Sequence, residues 1–266
     1  GGQRYKRERG YEFENNLSKN LGGLLDRPII DYQQPEFDGD MPALLASPLI
    51  TNDGRKLYIS PQPVSFLNLR PNGQSIVQGV DFRALLKDQQ ADSLRFLTAL
   101  RMSATFPYVT PTITLPTVPP IKIADAGISD NYGVVDALIF LNVFKEWILE
   151  NTSEVVLLAI RDSEKNAELG PVESENILER FFSPIQSAYS SWDKVQTIKN
   201  DQFFELTKSQ FGDHLKRVEF QYGKDEGLEQ RASLSWRLTE LEKRNIIKAI
   251  HQKSNKTRFS GLSELN

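Results

Sequence analysis

Cysteine is absent from the 266 residues, which excludes disulfides, thiolate metal sites and a cysteine nucleophile while leaving the redox compartment open. Histidine is almost as scarce. His214 and His251 are the two present, each among charged residues, so solvated positions are expected for both, and any triad needing histidine has to recruit one of them. No stretch approaches the ~18–20 consecutive apolar residues of a membrane-spanning helix. The start, Gly1-Gly2-Gln3-Arg4-Tyr5-Lys6-Arg7-Glu8-Arg9, has no apolar segment of the signal-peptide kind, and a soluble polypeptide is expected. A basic excess is missing too: 32 Lys and Arg stand against 35 Asp and Glu. Without a global positive field of the kind that supplies non-specific nucleic-acid affinity, nucleic acid is set aside as a partner.

What is present is an ordinary globular composition, 39% hydrophobic and 25% charged, long enough for one large or two modest domains, one being preferred. The chain is organised around Ser103-Ala104-Thr105-Phe106-Pro107 and, after a Pro/Thr-rich loop, Ile121-Lys122-Ile123-Ala124-Asp125-Ala126-Gly127-Ile128-Ser129-Asp130-Asn131-Tyr132-Gly133. Ile121 to Ala124 reads as a short strand that delivers a carboxylate and breaks at once into turn-forming residues, which is how α/β folds place reactive groups. Asp125 is therefore the candidate catalytic residue. A helix is predicted from near Tyr132 to Glu150, capped by Asp130 or Asn131. The plainer reading is turn chemistry, because Asp, Asn, Ser and Gly hydrogen-bond local backbone or accept positive φ at little cost.

Elsewhere the pattern predicts a charged N-terminal segment over 1–40 with an amphipathic helix from Tyr11 to Leu25. Its basic cluster, Arg4, Lys6, Arg7 and Arg9, could touch an anionic membrane surface, but interleaved Glu8, Glu12 and Glu14 favour a solvated face. Pro42 to Ile50 reads as a strand covered on both sides, Thr51 to Lys56 as a turn, and Leu57 to Ser60 as the returning strand of a hairpin. Helices are predicted from Asp81 and from Asp92, the second capped by Asp92 or Ser93. Thr110 to Pro120 is an extended loop, and Glu154 to Ser163 is a buried strand. Strand, helix, strand in that order implies a right-handed crossover and parallel pairing of 121–124 with 154–163. A helix over 174–211, a strand over 216–222 and a helix from Glu240 follow, with 255–266 as a tail.

The Asp-Ala-Gly and Ser-Asp-Asn triplets, preceded by Ser-Ala-Thr-Phe-Pro, resemble the second conserved block of the patatin-like phospholipases; the broader likeness runs over roughly 41–250, and the domain it implies over 41–254. The resemblance implies a patatin-like α/β fold, a mostly parallel sheet flanked by helices, of which this chain is the C-terminal part. It implies that Asp125 is the aspartate of a Ser-Asp dyad in a lipid acyl hydrolase. It makes Ser103, Ala104, Phe106, Pro107, Ala126, Gly127, Asp130 and Asn131 motif residues or walls of the site, with an ester lipid as substrate. No cofactor is implied. The spacing of Asp125, Asp130 and Asp136 does not match a calcium loop, and no histidine supports a transition-metal site.

Two features depart from the family. Ala126 stands where the family has Gly, a residue often chosen for positive φ or close approach. The nucleophile elbow, Gly-x-Ser-x-Gly, is also missing: Gly73-Gln74-Ser75-Ile76-Val77 lacks the second glycine, and Gly261-Leu262-Ser263-Glu264-Leu265 lies near the end of the sequence. Both the elbow and the glycine-rich oxyanion segment are therefore expected upstream of residue 1, in an N-terminal half that partners this chain and through which a membrane surface could be reached. The alternative is a non-catalytic, patatin-derived interaction or structural module.

Overall fold

The computed structural model describes residues 9–70, 72–105, 112–161, 177–222 and 238–263, with backbone alone at 9, 177–191 and 263. The chain divides into two compact units, Gly1–Phe144 and Lys145–Asn266.

The first unit begins with α1 (Arg9–Asn20). It ends earlier than the apolar pattern suggests because Gly22 and Gly23 follow at φ 61° and 76°, a conformation that helix interiors do not use. Arg4, Lys6 and Arg7 lie outside the described residues. Next come α2 (Gln33–Phe37), β1 (Leu49–Ile50), β2 (Lys56–Tyr58), β3 (Gly79–Asp81), α3 (Phe82–Leu85), α4 (Phe96–Ser103), β4 (Ile113–Leu115), β5 (Ile121–Ala124), α5 (Gly127–Asp130) and α6 (Val134–Val143). The five strands form one sheet in the order β3-β2-β1-β5-β4. The predicted hairpin is present, with Leu49 opposite Lys56 and a bridge between Ala46 and Ile59. Its turn closes through the Gly54 N–H on the Ile50 carbonyl at 2.9 Å, with Gly54 at φ 78°.

The fold is mixed α/β, but the expected mostly parallel sheet is not what forms. Here β1 pairs antiparallel with β2 and β5, β4 pairs antiparallel with β5, and β2 with β3 is the one parallel pairing in this sheet. The loop at 116–120 is too short for a crossover, so β4 returns directly as β5. The predicted strand over 42–50 is reduced to Leu49–Ile50, and part of the predicted loop is β4. The helix predicted from Asp92 begins only at Phe96, after a 3-10 turn over Ala91–Ser93.

Alternation along β2 gives the sheet two different interiors. Leu57 enters an apolar cluster with Ile29, Ile50, Phe82, Met102 and Ile123. Lys56 and Tyr58, equally buried, point to the other side. A second polar anchor joins α1 to α4: buried Glu14 accepts from Arg95, from Arg101, and from Thr98 Oγ1 at 2.9 Å.

The second unit comprises α7 (Lys145–Asn151), β6 (Val155–Arg161), α8 (Ile177–Phe211), β7 (Leu215–Gln221), α9 (Glu240–Ile250) and α10 (Lys253–Ser263). Here the strand-helix-strand rule does apply: β6 and β7 run parallel in register from Val155 opposite Leu215 to Arg161 opposite Gln221. The predicted pairing of 121–124 with 154–163 is therefore corrected, because the two strands belong to different sheets. The single helix predicted over 132–150 is interrupted at Phe144. Thr239 caps α9 in a reciprocal box with Glu242. Residues predicted as a tail enter α10, which buried Asn255 fastens by donating to the carbonyls of Gln221 and Ala249, each at 2.9 Å. His251 is exposed, whereas His214 is half-buried, its Nε2 2.8 Å from Thr152 Oγ1.

Candidate functional site

Asp125 is the first residue beyond β5. Its N–H donates to the Thr105 carbonyl, and the Ala126 N–H donates to the Ser103 carbonyl, both at 3.1 Å. The two sequence blocks are thus laid against each other by backbone bonds: the end of α4 forms a ledge on which the acidic turn rests. Ala104 is half-buried on that ledge and Thr105 is fully buried, donating its hydroxyl to the Arg101 carbonyl at 2.6 Å. Ser103 Oγ is buried and has no hydrogen-bond partner among the described residues. Phe106 and Pro107 lie outside them.

The Asp125 side chain is half-buried, and its Oδ1 accepts the Gly127 N–H at 2.7 Å. Burial pushes this carboxyl above the usual carboxylate range, and the Gly127 bond opposes that only in part. Close approach favours glycine at 127, since any side chain there would displace the Asp125 and Asn131 side-chain oxygens. A Cβ there would fall 2.9 Å from Asp125 Oδ1 and 2.7 Å from Asn131 Oδ1. Ala126, in contrast, has φ −60° and ψ −31°, an ordinary helical conformation open to any L-residue. Its methyl group requires no backbone change.

Asp130 and Asn131 part company. Asn131 is half-buried beside Gly127, while Asp130 turns inward. The predicted cap for the next helix is chemically right but one turn removed: Gly133, at φ 65°, holds the N-cap position, and Asp130 Oδ2 accepts the Val135 N–H at 2.9 Å. The same oxygen lies 3.3 Å from Lys56 Nζ, which also donates to Asp136 Oδ1 at 2.8 Å. Tyr58 Oη donates to Asp136 Oδ1 at 3.3 Å and accepts from Gln78 Nε2 at 3.4 Å. Burial, with Asp136 adding to it, pushes the Tyr58 hydroxyl far up, so it remains a donor.

Sequence reasoning missed this cluster. Lys56 falls inside the turn predicted over Thr51 to Lys56, where a lysine is expected in solvent, and the lone Asp136 in the apolar run of α6 names no partner. Asp130 and Asp136 therefore share a lysine. Among the described residues no group of three His, Cys, Asp or Glu side chains is arranged to hold a metal ion.

No serine hydroxyl among the described residues hydrogen-bonds Asp125. A cavity of about 640 Å³ opens elsewhere in the first unit, lined by Gln33, Asp81, Arg83, Lys87, Gln90 and Asp92 among others and by none of residues 103–131. Arg83 there is already committed to Asp92 and to the Pro61 carbonyl, each at 2.7 Å. The Asp125 turn, with its oriented carboxylate, is the stronger candidate for chemistry. No helix among the described residues is long and apolar enough to cross a membrane. No family model, curated protein or solved structure matches the chain.

Proposed function

We propose that the chain is the aspartate-bearing part of a patatin-like serine lipid acyl hydrolase, with Asp125 the base of a Ser-Asp dyad and the serine supplied from upstream of residue 1. The observation that carries this reading is the presentation of Asp125. A half-buried carboxylate follows the end of a strand, one oxygen fixed by Gly127, on a ledge built by Ser103 and Thr105. Burial of this kind weakens a carboxylate's hydration and raises its proton affinity, as a general base requires.

In the proposed reaction the Asp125 carboxylate accepts the serine proton as the serine oxygen attacks an ester carbonyl. Backbone N–H groups of the partner segment hold the oxyanion. The alcohol leaves with a proton, and water, deprotonated in turn by Asp125, releases the acyl group. Ester lipids are the substrate class. Ala126 does not weaken the reading, since its backbone conformation suits alanine as well as glycine.

The test is hydrolysis of a short-chain ester by the protein carrying both segments, with and without Asp125→Ala; unchanged activity in the variant refutes the reading. A second reading is a non-catalytic module of the same ancestry, in which the Asp125 turn is structural and its carboxylate is held by the Gly127 N–H. It predicts a parent with no Gly-x-Ser-x-Gly. On either reading this chain alone is not labelled by a fluorophosphonate probe.

A further inference from the structure

The short helix α5 has four residues, too few to hold its own shape by helical hydrogen bonding. Its geometry is set by what grips its ends. At the near end the Gly127 N–H bonds the Asp125 carboxylate. At the far end Asp130, whose side chain is fully buried, meets Lys56 Nζ at 3.3 Å and the Val135 N–H at 2.9 Å. Lys56 is itself held by Asp136 at 2.8 Å. One ammonium thus serves two buried carboxylates, whose other oxygens, Asp130 Oδ1 and Asp136 Oδ2, accept no hydrogen bond among the described residues. Each carboxylate has one further donor, the Val135 N–H for Asp130 and Tyr58 Oη for Asp136, but Lys56 supplies the charge that buried carboxylates need. The sheet is built around this arrangement: Gly79 on β3 has no side chain where a Cβ would lie 2.3 Å from the Tyr58 ring, leaving room for the aromatic that bonds Asp136.

We propose that Lys56 is a positioning residue for Asp125: its ammonium, clamped between Asp130 and Asp136, fixes the far end of the turn whose near end presents the Gly127 N–H to the Asp125 carboxylate. The catalytic consequence rests on the hydrolase reading; the positioning does not. Asp125 itself bonds the Thr105 carbonyl, the Gly127 N–H and, through its own carbonyl, the Ile128 N–H, and the charged groups of the adjoining cluster are Lys56, Asp130 and Asp136.

The experiment is an NMR pH titration of this chain, following the Asp125 carboxyl carbon and the Gly127 amide proton. In the unaltered chain both signals titrate together. Lys56→Met is expected to move the Gly127 amide upfield and the Asp125 midpoint upward, because the carboxylate loses a donor. Lys56→Arg is expected to restore both in part. Asp136→Asn, which leaves the Lys56–Asp130 contact, is expected to change neither. A folded Lys56→Met chain with both signals unchanged overturns the proposal, whatever its loss of thermal stability. Should Lys56→Met not fold, Asp130→Asn, which leaves Lys56 a single matched carboxylate, gives the same reading, and unchanged signals there overturn it equally. In the protein carrying both segments, Lys56→Met is expected to lower kcat about tenfold or more at nearly constant KM, as misplacement of a reacting group does. An active Asp125→Ala enzyme would sink the hydrolase reading while leaving the titration result standing.

Discussion

The Gly127 amide donates to Asp125 Oδ1 at 2.7 Å, and a Cβ added to Gly127 would lie 2.9 Å from that same oxygen. The carboxylate and the glycine therefore specify each other. Gly127→Ala is expected to destabilise the chain by about 1–3 kcal/mol, the cost of forcing an extra carbon into a filled site. Ala126→Gly, at a helical position, is expected to cost only about 1 kcal/mol, through backbone entropy. Urea unfolding of the two variants checks the order; equal losses would mean that close approach is not what selects the glycine.

Asp125 also leaves a signature in the pH dependence of stability. Its carboxyl is raised by burial, as is that of Glu36, so the folded chain holds these protons more tightly than the unfolded one. Their contribution to stability is fully present below the unfolded pKa and is lost as pH rises through the folded one. Asp125→Asn is expected to unfold at higher denaturant than the unaltered chain at pH 7, with the difference shrinking toward pH 3. A neutral-pH midpoint that falls instead would show that the charge is favourable where it stands.

The Lys56 cluster predicts a different profile. Removing the cation leaves two buried carboxylates uncompensated, and Lys56→Met is expected to cost about 3–5 kcal/mol. The double variant Lys56→Met with Asp136→Asn removes one of the stranded charges and is expected to recover part of that loss. Thermal denaturation of the single and double variants reads this; a double variant less stable than Lys56→Met would contradict it.

How much of this was legible in the sequence depended on how local each cause was. Asp125 was visible because strand and turn residues succeed one another within a few positions, and the Asp-Gly hairpin is equally local. Sheet direction was not. The rule linking strand, helix and strand to a parallel pair holds only within one sheet, and here it describes β6 and β7 but not β5 and β6. Lys56, Asp130 and Asp136 were individually plausible surface residues. Only the placing of Lys56 beside residues more than seventy positions away makes them a cluster, and no periodicity carries that information. Ala126 shows the opposite case, where the sequence suggested a difficulty that the backbone dihedrals remove.

The anchor between α1 and α4 gives a further test of the first unit. Glu14 accepts from both Arg95 and Arg101; Glu14→Ala leaves the largely buried Arg101 uncompensated, while Arg95 keeps Asp26 at 3.5 Å, and is expected to cost about 3 kcal/mol. Proteolysis within 9–20 is expected to accelerate in this variant. Unchanged protection would show that α1 is held by its apolar contacts instead.

The account turns on Asp125 acting as a base, and the most direct measurement is ester hydrolysis by the protein that joins this chain to its proposed serine-bearing segment, compared with the same protein carrying Asp125→Asn. The predicted result is a fall in kcat of at least about a thousandfold, in keeping with the loss of one member of a coupled catalytic pair, with the variant folded and at least as stable at pH 7. Retention of most of the activity in a folded Asp125→Asn protein would contradict the account.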